Sequence, residues 1–89
     1  MPLIRFTNLF AERIGGISSV DVQAATVKSA LSELTDRHPT LTPLVWAKDG
    51  ALNPVMVLFL NDRQLGAAEI ATPVGPGDQI DIVPAIEGG

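Results

Sequence analysis

Val55-Met56-Val57-Leu58-Phe59-Leu60-Asn61-Asp62-Arg63-Gln64-Leu65 opens with six apolar residues in a row, set between Pro54 and the turn-forming pair Asn61-Asp62. Six residues are too few for a typical helix, and the flanking breakers bound them tightly, so the run reads as a strand with two apolar faces. Asn and Asp then reverse the chain, which places Leu65 on a short following strand.

Upstream lies one clear helix. Thr26 is a good N-cap, and Val27, Ala30, Leu31 and Leu34 recur at i, i+3, i+4 and i+7, a single apolar stripe over Val27–Arg37. Lys28, Ser32, Glu33 and Asp36 lie off that stripe, and Pro39 ends the helix. At the N-terminus Ile4, Arg5, Phe6 and Thr7 alternate, which predicts a half-buried strand with Ile4 and Phe6 inward. Phe10–Gly16 reads as a loop or strand start, with Gly15-Gly16 as a hairpin turn leading to a second strand over Ile17–Val22. Residues 40–54 are the least readable part. Within them Leu44-Val45-Trp46-Ala47 suggests a short strand and Lys48-Asp49-Gly50 a turn. Downstream, Pro73–Asp78 is a turn, and Ile80 and Ile82, then Pro84, alternate with Asp81 and Val83 in a last strand before Ile86-Glu87-Gly88-Gly89.

The order is strand, strand, helix, strand, short strand, strand. It predicts an α+β fold: a mixed sheet of about five strands with one main helix across one face. At 89 residues the chain allows a single domain over 1–89, and residues 85–89 read as a flexible C-terminal tail. The chain has no cysteine, so disulfides, thiolate zinc sites and sulfur carried on a side-chain thiol are all excluded. A net charge of −4 argues against nucleic acid as a partner. Neither a secretory leader nor an apolar run of membrane-spanning length is visible, which predicts a cytoplasmic protein with no membrane partner, monomeric when alone.

Two stretches carry a resemblance. Val57–Leu65 looks like the strand–turn–strand of the ubiquitin-like β-grasp fold. Gly77-Asp78-Gln79-Ile80-Asp81-Ile82-Val83-Pro84-Ala85-Ile86-Glu87-Gly88-Gly89 resembles the ending of the ThiS/MoaD sulfur carriers: a Gly-Asp turn, an alternating strand, a proline and terminal Gly-Gly. The likeness covers nearly the whole chain, weakly in the middle. The extra length at residues 40–54, and Pro84-Ala85 where many MoaD-type tails have two prolines, lean toward the carriers that serve cysteine synthesis.

The resemblance implies a carrier rather than an enzyme. A ubiquitin-activating-like adenylyltransferase, using ATP and Mg, would adenylate the Gly89 carboxylate. A persulfide or sulfide donor would displace AMP, leaving a C-terminal thiocarboxylate for a downstream synthase of molybdopterin, cysteine or thiamin type. The chain itself would bind no cofactor. Glycine suits the end of such a tail: without Cβ, Gly88 can thread a narrow channel and Gly89 leaves the reacting carbonyl uncrowded. The same tail would equally serve a protein modifier joined through Gly89 to lysines, and the sequence does not separate the two. By analogy with ubiquitin, Met56, Leu58 and Leu60 face the core and Val57 and Phe59 face out as a docking pair, unless residues 40–54 fold over them.

Other candidates read blandly. His38, before Pro39, suits an exposed helix C-terminus and is no metal site alone. Gly75-Pro76-Gly77 lacks the lysine and hydroxyl of a phosphate loop. Asp78 and Asp81 could form a carboxylate pair, but Asp81 fits a solvated strand face. Trp46 could anchor a partner, but partial burial is its commoner fate.

Overall fold

The computed structural model describes residues 1–84, so the tail and its Gly88 and Gly89 lie outside the described residues. Five strands form one sheet: β1 Leu3–Phe6, β2 Ser19–Asp21, β3 Met56–Leu60, β4 Arg63–Leu65 and β5 Gln79–Pro84. Their order across the sheet is β2-β1-β5-β3-β4. Only β1 and β5 are parallel, with Ile4 beside Ile80 and Phe6 beside Ile82; the other pairs are antiparallel. The main helix, α2, spans Val27–Arg37. Its stripe packs against the inward residues of the sheet, so Val27, Ala30, Leu31 and Leu34 share a fully buried core with Ile4, Ile80 and Ile82.

The start of α2 is tied down from two directions. The Thr26 hydroxyl accepts from the Ser29 amide, and the Ser29 hydroxyl accepts from the Thr26 amide, each at 3.1 Å. The next amides, of Val27 and Lys28, donate to the carbonyls of Thr72 and Ile70. The segment 66–78 therefore supplies acceptors that a free helix start would take from water. Between β3 and β4 the turn residues Asn61 and Asp62 both adopt positive φ, 49° and 72°, the conformation a tight two-residue hairpin needs. Asn61 also fastens that turn to β5: its Nδ2 donates to Asp78 Oδ1, and its Oδ1 accepts from the Gln79 amide, both at 2.9 Å.

Three local expectations are corrected. Residues 10–16 hold neither a strand start nor a tight hairpin. A helical turn, α1 (Asn8–Ala11), and a 3-10 turn (Glu12–Ile14) fill the connection, and Gly15, at φ 76°, ends the helical run. The cause is Phe10: the amides of Phe10 and Ala11 both donate to the Thr7 carbonyl, and that turn buries the Phe10 ring completely. The second strand is shorter than 17–22, covering only Ser19–Asp21, although Val20 and Val22 are both buried as expected. Leu44–Ala47 is not a strand. A 3-10 turn at Pro39–Leu41 leads into α3 (Thr42–Val45), and Trp46 makes only an isolated bridge to Leu52. Pro39 and Pro43 both sit in first-turn positions, where the missing amide costs nothing. Leu41 and Val45, four apart on adjoining turns, are fully buried beside α2.

His38 caps α2 and is half-buried rather than exposed, its amide donating to the Leu34 carbonyl at 2.9 Å. Among the described residues, no helix is long and apolar enough to cross a membrane, and no group of three or more His, Cys, Asp or Glu could hold a metal ion.

Candidate functional site

The face of the sheet turned away from α2 is open. Strand pairing lays one transverse row across it: Ser19, Arg5, Asp81, Phe59 and Gln64 stand opposite one another on successive strands. Val83 stands opposite Val57 in a neighbouring row. Residues 40–54 do not cover this face. They pack on α2, and their buried Leu41, Val45 and Leu52 join the core on the helix side. Along β3 burial alternates, with Met56, Leu58 and Leu60 buried and Val57 and Phe59 half-buried, so the outward pair lies where the parity places it.

Phe59 is flanked by charge. Arg5 Nε donates to Asp81 Oδ1 at 2.8 Å, and Gln79 Nε2 donates to the other carboxylate oxygen at 3.3 Å. The bond and charge of Asp81, with a smaller contribution from Asp62, hold the Arg5 guanidinium above its ordinary range. Phe59, Arg5, Asp62, Asp81, Thr7 and Val83 line a shallow open cleft of about 520 Å³. Asp78 and Asp81 do not form a carboxylate couple. Asp78 bonds Asn61 and, at 2.8 Å, the Gly75 amide, and these two bonds hold its carboxyl below the usual carboxylate range. Gly75-Pro76-Gly77 is a turn, with Gly77 at φ 87°.

The cleft was only half legible in sequence. Arg5 and Asp81 each fall at outward positions of alternating strands, but nothing in the sequence says that the first and last strands are neighbours. Their parallel pairing creates the ion pair beside Phe59. The same strand, β5, holds the last of the described residues. Pro84, its last residue, is buried and paired with Met56. Proline at the last strand position removes the donor that would extend the ladder.

A mixed five-strand sheet crossed by one long helix, with an open apolar-and-charged face, defines a ubiquitin-like β-grasp domain. The sequence profile described as the ThiS family matches residues 4–89. A protein of Archaeoglobus fulgidus classed with the sulfur carriers is 31% identical over 75 residues, which span 83% of this chain and 85% of that protein. The crystal structure of SAMP1 from Haloferax volcanii superposes with a TM-score of 0.85 at 26% identity, covering 99% of this chain and 98% of that one. A chain of the Amycolatopsis orientalis BexX/CysO complex matches over the full length of both chains, with a TM-score of 0.84 at 23% identity, a likeness of fold. The chain belongs to the ThiS family of ubiquitin-like sulfur carriers.

Proposed function

We propose that the chain carries sulfur on its own C-terminus and catalyses nothing itself. The Gly89 carboxylate attacks the α-phosphate of ATP in an activating enzyme, pyrophosphate leaves, and an acyl adenylate forms. Mg²⁺ in that enzyme offsets the phosphate charge. A sulfide donor then attacks the acyl carbon, AMP departs, and a thiocarboxylate remains; a persulfide donor instead leaves an acyl disulfide, whose S–S bond a second thiol of the donor cleaves to give the same thiocarboxylate and a donor disulfide. Adenylation is needed because a free carboxylate is a poor electrophile, its charge spread over two oxygens. A downstream synthase of cysteine, molybdopterin or thiamin type takes the sulfur. Gly88 lets the end thread the enzyme's channel, and Val57 and Phe59 give the enzyme its grip on the open face.

The observation that carries this reading is the family match, which runs through Gly89 and so includes the Gly88-Gly89 end. The lack of any cysteine supports it, because no side-chain thiol competes for the sulfur. A second reading, a protein modifier joined through Gly89 to lysines, is favoured by the likeness to SAMP1 of Haloferax volcanii, small archaeal modifier protein 1. Both begin with adenylation. The test is incubation with the cognate activating enzyme, ATP, Mg²⁺ and sulfide, followed by intact mass. The full chain gains the mass of sulfur replacing oxygen, and a chain lacking Gly88-Gly89 does not. Sulfur on the truncated chain would place the chemistry elsewhere; isopeptide-linked targets without thiocarboxylate would favour the modifier.

A further inference from the structure

A groove on the helix side of the molecule has no part in the reading above. It encloses about 430 Å³ and is lined by Thr42, Pro43, Trp46, Ala47, Lys48 and Asn53. Its walls are held by bonds from three directions. The half-buried Trp46 ring is fixed from α2, its Nε1 donating to Thr35 Oγ1 at 3.2 Å. Asn53 Nδ2 donates to the Pro43 carbonyl at 3.2 Å, and the Asn53 amide donates to the Val45 carbonyl at 2.8 Å. Buried Leu41, Val45 and Leu52 anchor the same segment in the core. A groove held this way exists before anything binds it.

Its position and its charge are both informative. The Asn53 carbonyl accepts from the Met56 amide at 2.9 Å, and Met56 is the strand partner of Pro84. With antiparallel partners about 5 Å apart, the groove wall lies within roughly 10 Å of the last described residue. Five residues reach about 17 Å when extended, so the groove lies within the distance that the tail itself can span from Pro84. On a chain of net charge −4, the groove presents Lys48 as its charged lining residue, exposed at the rim. The adjacent Asp49 turns back on its own loop, its carboxylate accepting from the Ala51 amide at 3.0 Å.

We propose that this groove is a second docking site for the activating enzyme, and that its occupant is an acidic segment of that enzyme bearing one large apolar side chain. The inference rests on the carrier reading. The apolar side chain lies against Trp46 and Pro43, and the neighbouring carboxylate meets the Lys48 ammonium. Contacts at the groove and at Phe59 on the open face lie on opposite sides of the sheet. An enzyme that engages both straddles the end of β5 and fixes the direction in which the tail is offered. Each contact raises the effective concentration of the other.

The chain has one tryptophan, and it sits in the groove. Full-length protein labelled with fluorotryptophan therefore gives one fluorine NMR resonance that reports on this site alone. The probe is the unlabelled activating enzyme that loads the chain. The expected result is a shift of that resonance as the complex forms. Lys48→Glu should weaken the complex about tenfold or more, Lys48→Arg should restore it, and the urea midpoint should stay unchanged in both. A complex that forms and loads sulfur while the resonance stays put overturns the inference and leaves the carrier reading standing; so does wild-type affinity in Lys48→Glu. A chain that neither binds the enzyme nor gains sulfur overturns both.

Discussion

Leu31→Ala tests whether the fold is held where the stripe of α2 meets the sheet. Leu31 is completely buried at the middle of the helix, between the equally buried Val27 and Leu34. Truncation to alanine removes three carbons, and at about 0.8 kcal/mol per buried methylene the lost transfer energy is about 2.4 kcal/mol. The surroundings can close over the gap only in part, because the helix backbone is pinned at its start by the capping pair and the 66–78 segment. A residual cavity of about 50–100 Å³ adds about 1–2.5 kcal/mol at 24 cal/mol per Å³. The expected loss is thus about 3–5 kcal/mol, against a total of about 4–13 kcal/mol for a domain of this size. With a urea slope near 1 kcal/mol/M, the midpoint should fall by about 3 M or more, and the slope should hold. Lys28→Ala, an exposed change on the same helix, should stay within about 0.5 kcal/mol. A midpoint shift below about 1 M for Leu31→Ala would mean that the stripe is not the principal core contact.

Two further outcomes test the open face and the β5 start. Phe59→Arg should weaken binding of the activating enzyme by about 2 kcal/mol, roughly thirtyfold, with little change in the urea midpoint, because Phe59 is half-buried on the face away from the core; unchanged affinity in the folded variant would move docking off this face. Asp78 is held below its ordinary pKa by Asn61 and the Gly75 amide, so its contribution to stability is complete above the unfolded value near pH 4 and is lost as pH falls through the lower folded value. Asp78→Asn should therefore flatten the acid limb of a stability-against-pH series, and an acid limb as steep as that of the wild type would show that its bonds contribute nothing in the folded state.

The legible parts of the sequence are those where one local rule has no competitor. Thr26, the i, i+3, i+4, i+7 stripe and Pro39 set the bounds of α2 because cap, period and breaker agree. The parity of β3 came from the likeness to ubiquitin and not from a local rule, because six apolar residues in a row leave both faces equally apolar; the alternating burial agrees with it. Failures came where a single turn of helix is too short to show a period. Asn8–Ala11 and Thr42–Val45 have four residues each, and their apolar residues read equally well as strand. A signal for the second was present: Leu41, Leu44 and Val45 follow helical spacing, with Pro43 at a first-turn position. On the site, Val57 and Phe59 could be placed on a face, but their charged neighbours could not. Arg5 and Asp81 are 76 residues apart, and only the parallel pairing of β1 with β5 joins them.

That pairing also bears on how such a chain would work. The proposed chemistry sits beyond Pro84, on residues with no side chain larger than hydrogen, so the fold can influence it only through where the chain leaves the sheet. β5 is held firmly in the sheet. It has partners on both sides, its start is clamped by Asn61 and Asp78, and its inward residues Ile80 and Ile82 are completely buried in the core. An edge strand in that role would let the point of departure shift as the edge frayed. Here the open face and Pro84 belong to one strand-bonded sheet, and the Trp46 groove is tied to its β3 strand by the bond from the Met56 amide to the Asn53 carbonyl. On the proposed reading, an enzyme bound at either surface is thereby set at a fixed distance from the point where the tail leaves the sheet.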